Sequence, residues 1–494
     1  MPKNLRDFVA LLKEKAPEEL LVGNRLVDSR FEATTLLRKL ELENRYPMVI
    51  FNRVKNIRGE ESKYPLLINM FASRKKLALA VDLKPEESRM ELPAELTRRY
   101  SRLVAPQVIA GGEAPVKEVI KTGEAVDLEE FPIPVNHALD GGPYILGGSV
   151  VTKDPETGKH NVAMIRLHVK GKNRTVIHAE PHHHSGMIVK SYLKQGKPCP
   201  FVIVIGHHPA FYLGSQWEGR YGKDEYEVIG GALEEPLRLV PSETWGKDFL
   251  VPADAEIIME GLILPDEMDN EGPIGEHTRY YKTIRGDKID YLREPVTKIL
   301  AITHRRDAIY QSSFLGHPDQ GLIGSIPKEA AIFEIARHSV PRLKAVHLTP
   351  AGLNRYICYL SLEQRVGGEA KDAIMAAFIG DWHVKYAVAV DADVDIFSDA
   401  DVLWAIATRT QPNRDVFIIP ECMGSPLDPS TAGNKGITAR MGIDATKKPV
   451  GEPYSEVCEV PLDLLATMKI EDYLEAPLIR HPGEPRIGVR GRRR

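Results

Sequence analysis

Hydrophobic positions recur at two different periods along the chain. In MPKNLRDFVALLKEK, Leu5, Phe8, Val9 and Leu12 stand at i, i+3, i+4 and i+7 with charged residues between them, which predicts an amphipathic helix. From about residue 47 to 303 the period shortens. Apolar runs such as YPMVIF, SVVT, PFVIVIG, EIIMEGLI and TKILAIT are separated by turns rich in Gly, Pro and Asp, the pattern of a β-rich region. Val162 to Val169 alternates as a strand entered through the turn KDPETGK, so SVVTKDPETGKHNVAMIRLHV predicts a hairpin. An ideal strand would send Asn161 and Arg166, five apart, to opposite faces, so either Asn161 stands where the strand begins to bend or a bulge intervenes. After GHPDQGLIGSIP the texture turns helical: KEAAIFEIARHSV begins just after Pro327 without strand alternation, which places a domain linker there. Beyond it, strand-like RYICYLSLE, helix-like AKDAIMAAFIG, strand YAVAVDAD, helix DADVLWAIATRT and strand DVFIIP follow in the order of a layered α/β domain.

Bulk composition narrows the functional classes. A chain of 494 residues, 43% hydrophobic and 27% charged, has room for two or three domains with full cores. Lys plus Arg at 65 against Asp plus Glu at 69 gives a net charge of -4, with no global attraction for nucleic acid or an anionic membrane. The terminal RGRRR is the one basic cluster and reads as a frayed tail. Cys199, Cys358, Cys422 and Cys458 lie far apart without a CxxC pair, which argues against a zinc ribbon or a disulfide framework and fits a reducing cytoplasm. No run approaches the length of a membrane span, and the amphipathic start is not a signal peptide.

Candidate chemistry concentrates in the β-rich region. EGPIGEHT sets Glu271 and Glu276 around a Gly-Pro-x-Gly turn, whose proline fixes one φ and whose glycines permit close approaches, so both acids are held in defined directions. Elsewhere NVAMIR carries Asn161 and Arg166, PHHHSGM carries His182, His183 and His184, and DEYEVIGG carries Glu227. One amide oxygen, one imidazole and one carboxylate suit Mn2+ or Mg2+, with positions left for water or phosphate.

Together NVAMIR, HHHSGM, EVIGG, EGPIGE and FPIPVNHALDGGPYI resemble the UbiD-type prenylated-FMN-dependent (de)carboxylases. In that family an Asn and an Arg stand five apart, a His follows the Asn by 23, and a Glu precedes the EGP loop by 44; here Asn161 to His184 is 23 and Glu227 to Glu271 is 44. The resemblance continues through KYAVAVDADVDIFSDADVLWAIATRTQPNRD and ARMGIDATKK and so covers nearly the whole chain. It implies an α+β protein: an N-terminal α/β region over 1–115, a split β-barrel flavin-binding domain over 116–315, a linker helix over 316–342 and a C-terminal α/β oligomerisation domain over 343–494.

The resemblance further implies prenylated FMN, an azomethine ylide able to add across a conjugated acid, whose phosphate is tied down by a divalent metal. Asn161, His184 and Glu227 become the metal ligands, and K+ shares Glu227 with backbone carbonyls. Lys385 in KYAVAV matches a lysine that reaches the phosphate. Arg414 in QPNRD matches an arginine near the cation site, although an ordinary helix-end residue is the preferred reading. Arg166, Glu271 and Glu276 match a catalytic Glu-Arg-Glu network, with Glu276 as proton donor and Arg166 and Glu271 orienting substrate and cofactor. The expected activity is reversible decarboxylation of an aromatic, heteroaromatic or other α,β-unsaturated acid. Expected partners are a flavin prenyltransferase as cofactor supplier and a second copy in a homodimer or higher homo-oligomer. A metal-dependent hydrolase built on the same trio, or a non-catalytic subunit of a larger assembly, are the rival readings. In EHTRYY the chain departs from the family by carrying Arg279 where glycine is usual. That arginine either lines the pocket rim, for a second acidic group on the substrate, or faces solvent, the preferred reading. His183 and His317 could meet a ring heteroatom or hydroxyl, but each singly reads better as a loop histidine.

Overall fold

The computed structural model describes residues 2–473 apart from His182, 432–435 and Gly451, so the RGRRR tail lies outside the described residues. The chain divides into two compact units, one ending at Pro327 and the next beginning at Lys328. The stretches that the sequence reading divides at residue 115 belong to the first unit together. Helix α1 (Leu5–Lys15) forms where the i, i+3, i+4, i+7 pattern places it, capped by the Asn4 side chain. Its buried Leu5, Phe8, Val9 and Leu12 join the same apolar cluster as Val202 and Val204. After helix α2 (Glu32–Leu42), the strand Leu66–Ile68 pairs in parallel with Tyr310–Gln311, stitching the N-terminal residues to the end of the unit.

The unit is organised by a nine-stranded sheet. The predicted hairpin is present as β1 (Ser149–Lys153) and β2 (His160–Met164). The strand expected over Val162 to Val169 breaks at Ile165 and Arg166. β3 (Leu167–Gly171) then pairs with β4 (Arg174–Ile177) and not with β1, and the facing problem of Asn161 and Arg166 is resolved because Asn161 is on β2 and Arg166 is in the break that follows it. Helix α3 (His184–Leu193), strand β5 (Cys199–Ile205) and helix α4 (Glu225–Leu233) follow. Long strands β6 (Ile257–Glu271) and β7 (Leu292–His304) complete the frame. The path runs Tyr144–Ile145, β3, β4, β7, β6, β5, β1, β2, every pairing antiparallel, with Val119–Thr122 also pairing β7.

β5 shows why the run PFVIVIG is continuously apolar: successive side chains point to opposite faces, and both faces are covered. Val202 and Val204 enter one core, while Cys199, Phe201, Ile203 and Ile205 enter the other. Register shifts in the β6–β7 pairing, between Glu260 and Gly261 and between Ile263 and Met268, bend the sheet. The result is the mixed α+β fold with a curled half-barrel sheet.

Helix α5 (Pro318–Ser339) lies within the 316–342 that the resemblance implies for a linker helix, but it begins nine residues before Pro327 and keeps that proline inside, rather than starting after it as the texture of the string alone suggests. Proline is best tolerated at the first helical position, which is why the sequence reading started the helix after it. The actual start is fixed by buried Asp319, which accepts hydrogen bonds from Phe71 N at 2.7 Å and Phe314 N at 3.1 Å. The second unit carries a five-stranded sheet. Its strands are β8 (Leu343–Leu348), β9 (Ile357–Leu362), β10 (Tyr386–Asp391), β11 (Val416–Met423) and β12 (Ile437–Ala445), in the order β8-β9-β10-β12-β11. Helices Glu369–Gly380 and Asp399–Arg409 alternate with them as expected, and β9, β10 and β12 pair in parallel.

Candidate active site

A small cleft at the β1–β2 hairpin is lined by Asn161, His184 and Glu225, with Asp154, His160 and Tyr221 around them. Glu225 is the first residue of α4, directly after its N-cap Asp224, and His184 is the first residue of α3. The Glu225 carboxylate accepts from Asn161 Nδ2 at 2.5 Å and from Val162 N at 2.6 Å, and lies 3.6 Å from His184 Nδ1. Burial pushes that carboxyl up, and the hydrogen bonds from His184, Val162 and Asn161 offset the effect only in part. Asn161 Oδ1 is buried with no hydrogen-bond partner. A buried, unpaired amide oxygen is costly unless something else uses it, and a hard cation would. The donor set of amide oxygen, imidazole and carboxylate therefore fits a divalent metal. Among the described residues no group of three His, Cys, Asp or Glu side chains is placed to hold a metal ion, so a cation here would need the Asn161 amide oxygen as a third donor.

This arrangement corrects one expectation: the structure brings Glu225, not Glu227, to Asn161 and His184. An α-helix turns about 100° per residue, so residues two apart point in nearly opposite directions. With Glu225 buried on the hairpin side, Glu227 cannot share its face. Glu227 is half-buried, and its backbone carbonyl accepts from Val104 N at 3.0 Å.

Arg166, Glu271 and Glu276 are brought together as expected. Arg166 sits in the break between β2 and β3, Glu271 ends β6, and Glu276 closes the loop that follows. Arg166 donates through Nε to Glu271 Oε1 at 3.0 Å, through Nη2 to Glu271 Oε2 at 3.3 Å, and through Nη1 to Glu276 Oε2 at 3.1 Å. Both carboxylates are buried, at 1% and 3% exposure, so their shared cation is screened little by water. Burial pushes the Glu271 carboxyl up, but the Arg166 charge and hydrogen bonds outweigh it and hold that group below the ordinary carboxylate range.

The loop itself is held from outside. Gly272 adopts φ +99°, a conformation that favours glycine, and its N–H donates to the Tyr144 hydroxyl at 3.0 Å, while Tyr144 also hydrogen-bonds Glu271. A Cβ at Gly275 would come within 2.6 Å of His137 Nδ1, so glycine is required there by close packing. Gly275 N donates to Asp140 Oδ1 at 2.9 Å, and Gly141 N to Pro273 O at 2.8 Å. Thus HALDGGPY, read in the sequence only as part of a resemblance, is the brace under EGPIGE.

Two groups beside the network carried no assignment in the sequence reading. Tyr144 stacks on His168 with ring centroids 4.3 Å apart, and burial lowers that imidazole to about 4, keeping it neutral. His178 is held between Glu294 at 2.8 Å and Glu180 at 3.1 Å; burial disfavours its cation, but the two carboxylates raise it above its ordinary value. Neither sits in a spacing that alone would point to it.

The remaining expected residues fall differently. His183 is exposed and is the N-cap residue of α3, as a loop histidine would be. Arg414 is exposed and pairs with neighbouring Asp415 at 2.8 Å. In the second unit the Lys385 ammonium donates to Asp428 Oδ2 at 2.9 Å and Ser430 Oγ at 2.7 Å. Arg279 is exposed but not free: it donates to Gly316 O at 2.7 Å and pairs with Glu41 of α2, which also accepts from His317 Nδ1 at 2.5 Å.

That pairing has a pH consequence. Burial pushes the Glu41 carboxyl up, but His317 and Arg279 outweigh it and hold it at about 2, against 4.5 ordinarily. A depressed carboxyl contributes stability that is present above its unfolded value and lost as pH falls through its folded one. Glu41→Gln is therefore expected to lower stability at pH 7 by about 1 kcal/mol after solvent screening. The gap to the parent protein should shrink between about pH 4.5 and pH 2, as urea midpoints at pH 7 and pH 3 would show. An equal gap at both pH values would contradict the pairing.

Comparison with known proteins decides the lineage. Residues 11–96, 107–318 and 321–445 match, in turn, the N-terminal, Rift-related and C-terminal domains of 3-octaprenyl-4-hydroxybenzoate carboxy-lyase, UbiD. The anhydromevalonate phosphate decarboxylase of Methanothermobacter thermautotrophicus is 31% identical over 445 residues, 90% of this chain and 96% of that protein. The chain belongs to the UbiD family. The UbiD-class enzyme HmfF from Pelotomaculum thermopropionicum, in complex with FMN, superimposes with a TM-score of 0.85 at 36% identity, covering 95% of this chain and 100% of that one. An evolved dimeric form of HmfF in complex with prFMN gives a TM-score of 0.82 at 35% identity, with the same coverage. Neither the hydrolase nor the non-catalytic subunit finds support among these UbiD-class relatives.

Proposed function

We propose that this UbiD-family chain is a carboxy-lyase that reversibly removes CO2 from an aromatic, heteroaromatic or other α,β-unsaturated carboxylic acid, using prenylated FMN. The observation that carries the reading is the buried Arg166–Glu271–Glu276 network, a single guanidinium gripping two carboxyl groups on a braced loop. When bound, prenylated FMN supplies the electron sink that makes loss of CO2 from a conjugated acid feasible.

The protein's own residues supply position and a proton. Arg166 spends two nitrogens on Glu271, which therefore stays anionic and fixed, and turns the third toward Glu276. Glu276 is the group we assign to protonate the carbon vacated by CO2. Tyr144, whose hydroxyl accepts from the Gly272 N–H, also hydrogen-bonds Glu271, so cofactor and substrate meet a carboxylate of set direction. Asn161, His184 and Glu225 would hold Mn2+ (or Mg2+) for the cofactor phosphate. K+ would share the Glu225 carboxylate with backbone carbonyls. A flavin prenyltransferase would supply the cofactor. The four cysteines are all unpaired thiols, which accords with a reducing cytoplasm.

A homodimer or higher homo-oligomer is part of the same reading. In the second unit β11 is an edge strand that exposes Ile418 and Met423, at 65% and 62%, an apolar edge that soluble monomers usually protect.

The direct test is to co-express the chain with a flavin prenyltransferase and screen cinnamic, benzoic, pyrrole, furan and indole carboxylic acids for CO2 release and product deuterium exchange. Protein that carries the prenylated flavin yet neither releases CO2 nor exchanges with any of these classes would sink the proposal.

Lys385 gives a narrower test. The resemblance makes Lys385 a lysine for the cofactor phosphate; in this structure its ammonium is held by Asp428 and Ser430, and an ionic hydrogen bond to phosphate would be worth on the order of 1 to 2 kcal/mol. Lys385→Met should weaken flavin retention by roughly tenfold while the thermal midpoint changes little. Unchanged flavin affinity across several salt concentrations would remove Lys385 from the site.

A further inference from the structure

Arg279 adopts φ +62°, in the left-handed region where a residue with a Cβ is disfavoured. That conformation accounts for the glycine usual in the family at this place, and it raises the question of what the arginine side chain returns. Its backbone closes a tight turn with the assigned proton donor: Arg279 N donates to Glu276 O at 2.8 Å, and Glu276 N donates to Tyr280 O at 3.0 Å. Its guanidinium reaches back out of the turn to Gly316 O at 2.7 Å and to the Glu41 carboxylate at the end of α2. Glu41 is itself fixed by Arg38 at 2.8 Å and His317 Nδ1 at 2.5 Å. Gly316, at φ +76°, packs so closely on the turn that a Cβ there would stand 2.8 Å from Glu276 O.

We infer that Arg279, anchored by Glu41 and the Gly316 carbonyl, is a positioning residue for Glu276, clamping from outside the turn whose carboxyl Arg166 grips from inside. The inference rests on the reading of Glu276 as proton donor. In this structure the Arg279 guanidinium is paired with Glu41 and the Gly316 carbonyl, which is the arrangement a tether needs. The clamp needs an arginine at a left-handed position and a glutamate on α2 to receive it. A glycine there would keep the backbone shape and lose the tether.

The test combines dynamics with kinetics. In Arg279→Gly and Glu41→Ala, backbone amides of 275–281 should exchange with deuterium at least about tenfold faster than in the parent protein, while those of 199–205 stay unchanged. With the prenylated flavin loaded and an acid from the panel that the parent enzyme turns over, kcat should fall about tenfold with KM held. The double variant should be no worse than Arg279→Gly alone, because both substitutions cut one tether. If Arg279→Gly fails to fold, Glu41→Ala carries the test by itself. Unchanged amide exchange in 275–281, additive losses in the double variant, or a rise in KM at constant kcat would each overturn the clamp. Glu276→Gln run alongside separates the two claims. Normal turnover in that variant removes the proton donor itself, whereas an inactive Glu276→Gln beside a fully active Arg279→Gly removes only the positioning role.

Discussion

Glu225→Gln protein, made alongside a flavin prenyltransferase, should emerge with about a tenth or less of the parent's metal and flavin, while Glu227→Gln keeps both. Glu225 is 4% exposed and receives hydrogen bonds from Asn161 Nδ2 and Val162 N, so the amide that replaces it retains size and one acceptor. What the substitution removes is the negative charge, and a divalent cation bound by one carboxylate, one imidazole and one amide oxygen depends on that charge. On the proposed reading the metal would tie down the cofactor phosphate, so both should fall together, and His184→Ala should lose both for the same reason. Metal analysis and flavin absorbance after desalting read the outcome, with the thermal midpoint as a check on folding. Retention of both in Glu225→Gln, with loss in Glu227→Gln, would return the site to the carboxylate that spacing alone selects.

That pair of glutamates marks where the sequence stops being readable. A spacing of 44 from Glu227 to Glu271 matches the family's count, yet Glu225, at 46, is the one on the hairpin face. Loop lengths between α4 and β6 can differ by two residues at little cost, so the count between distant motifs carries less than the helix phase. The phase was not legible, because DEYEVIGG holds two acids and nothing in the string says which face meets Asn161. Asp224 offers the one local signal, since an Asp before a helix marks the N-cap and makes Glu225 the first helical residue.

Where one physical requirement dominates, the sequence was sufficient. The α1 periodicity names all four buried residues, and the unbroken run of β5 reports a strand covered on both faces. Glu271 and Glu276 were recognisable because Gly-Pro-x-Gly restricts the backbone locally. Tyr144, His178 and Glu41 were not, because each earns its place through a partner more than 100 residues away or through a tertiary contact with no local signature. Arg279 shows both sides of this. Its departure from the family's glycine was visible in the string, whereas its αL backbone and its hold on Glu41 were not.

The second large effect is expected at Glu276. Glu276→Gln keeps the side chain's length and can still accept from Arg166 Nη1, now 3.1 Å away, so the loop braced by Asp140 and Gly316 should hold its shape. It has no acidic proton to give. A general acid contributes about a hundredfold to ten-thousandfold, so turnover should fall by at least about two decades while the flavin spectrum and metal content stay normal. The same variant should lose exchange of the product's ring or vinyl hydrogen with solvent deuterium, since exchange uses the same proton route in reverse. Glu271→Gln is the poorer probe, because Glu271 also ties Arg166 and Tyr144 and its loss would disturb the whole network. A partial loss shared equally by kcat and exchange would keep Glu276 on the proton route with another group helping. Near-parental turnover and exchange in Glu276→Gln would instead mean that the proton comes from elsewhere, with Glu276 serving only as the second anchor of Arg166.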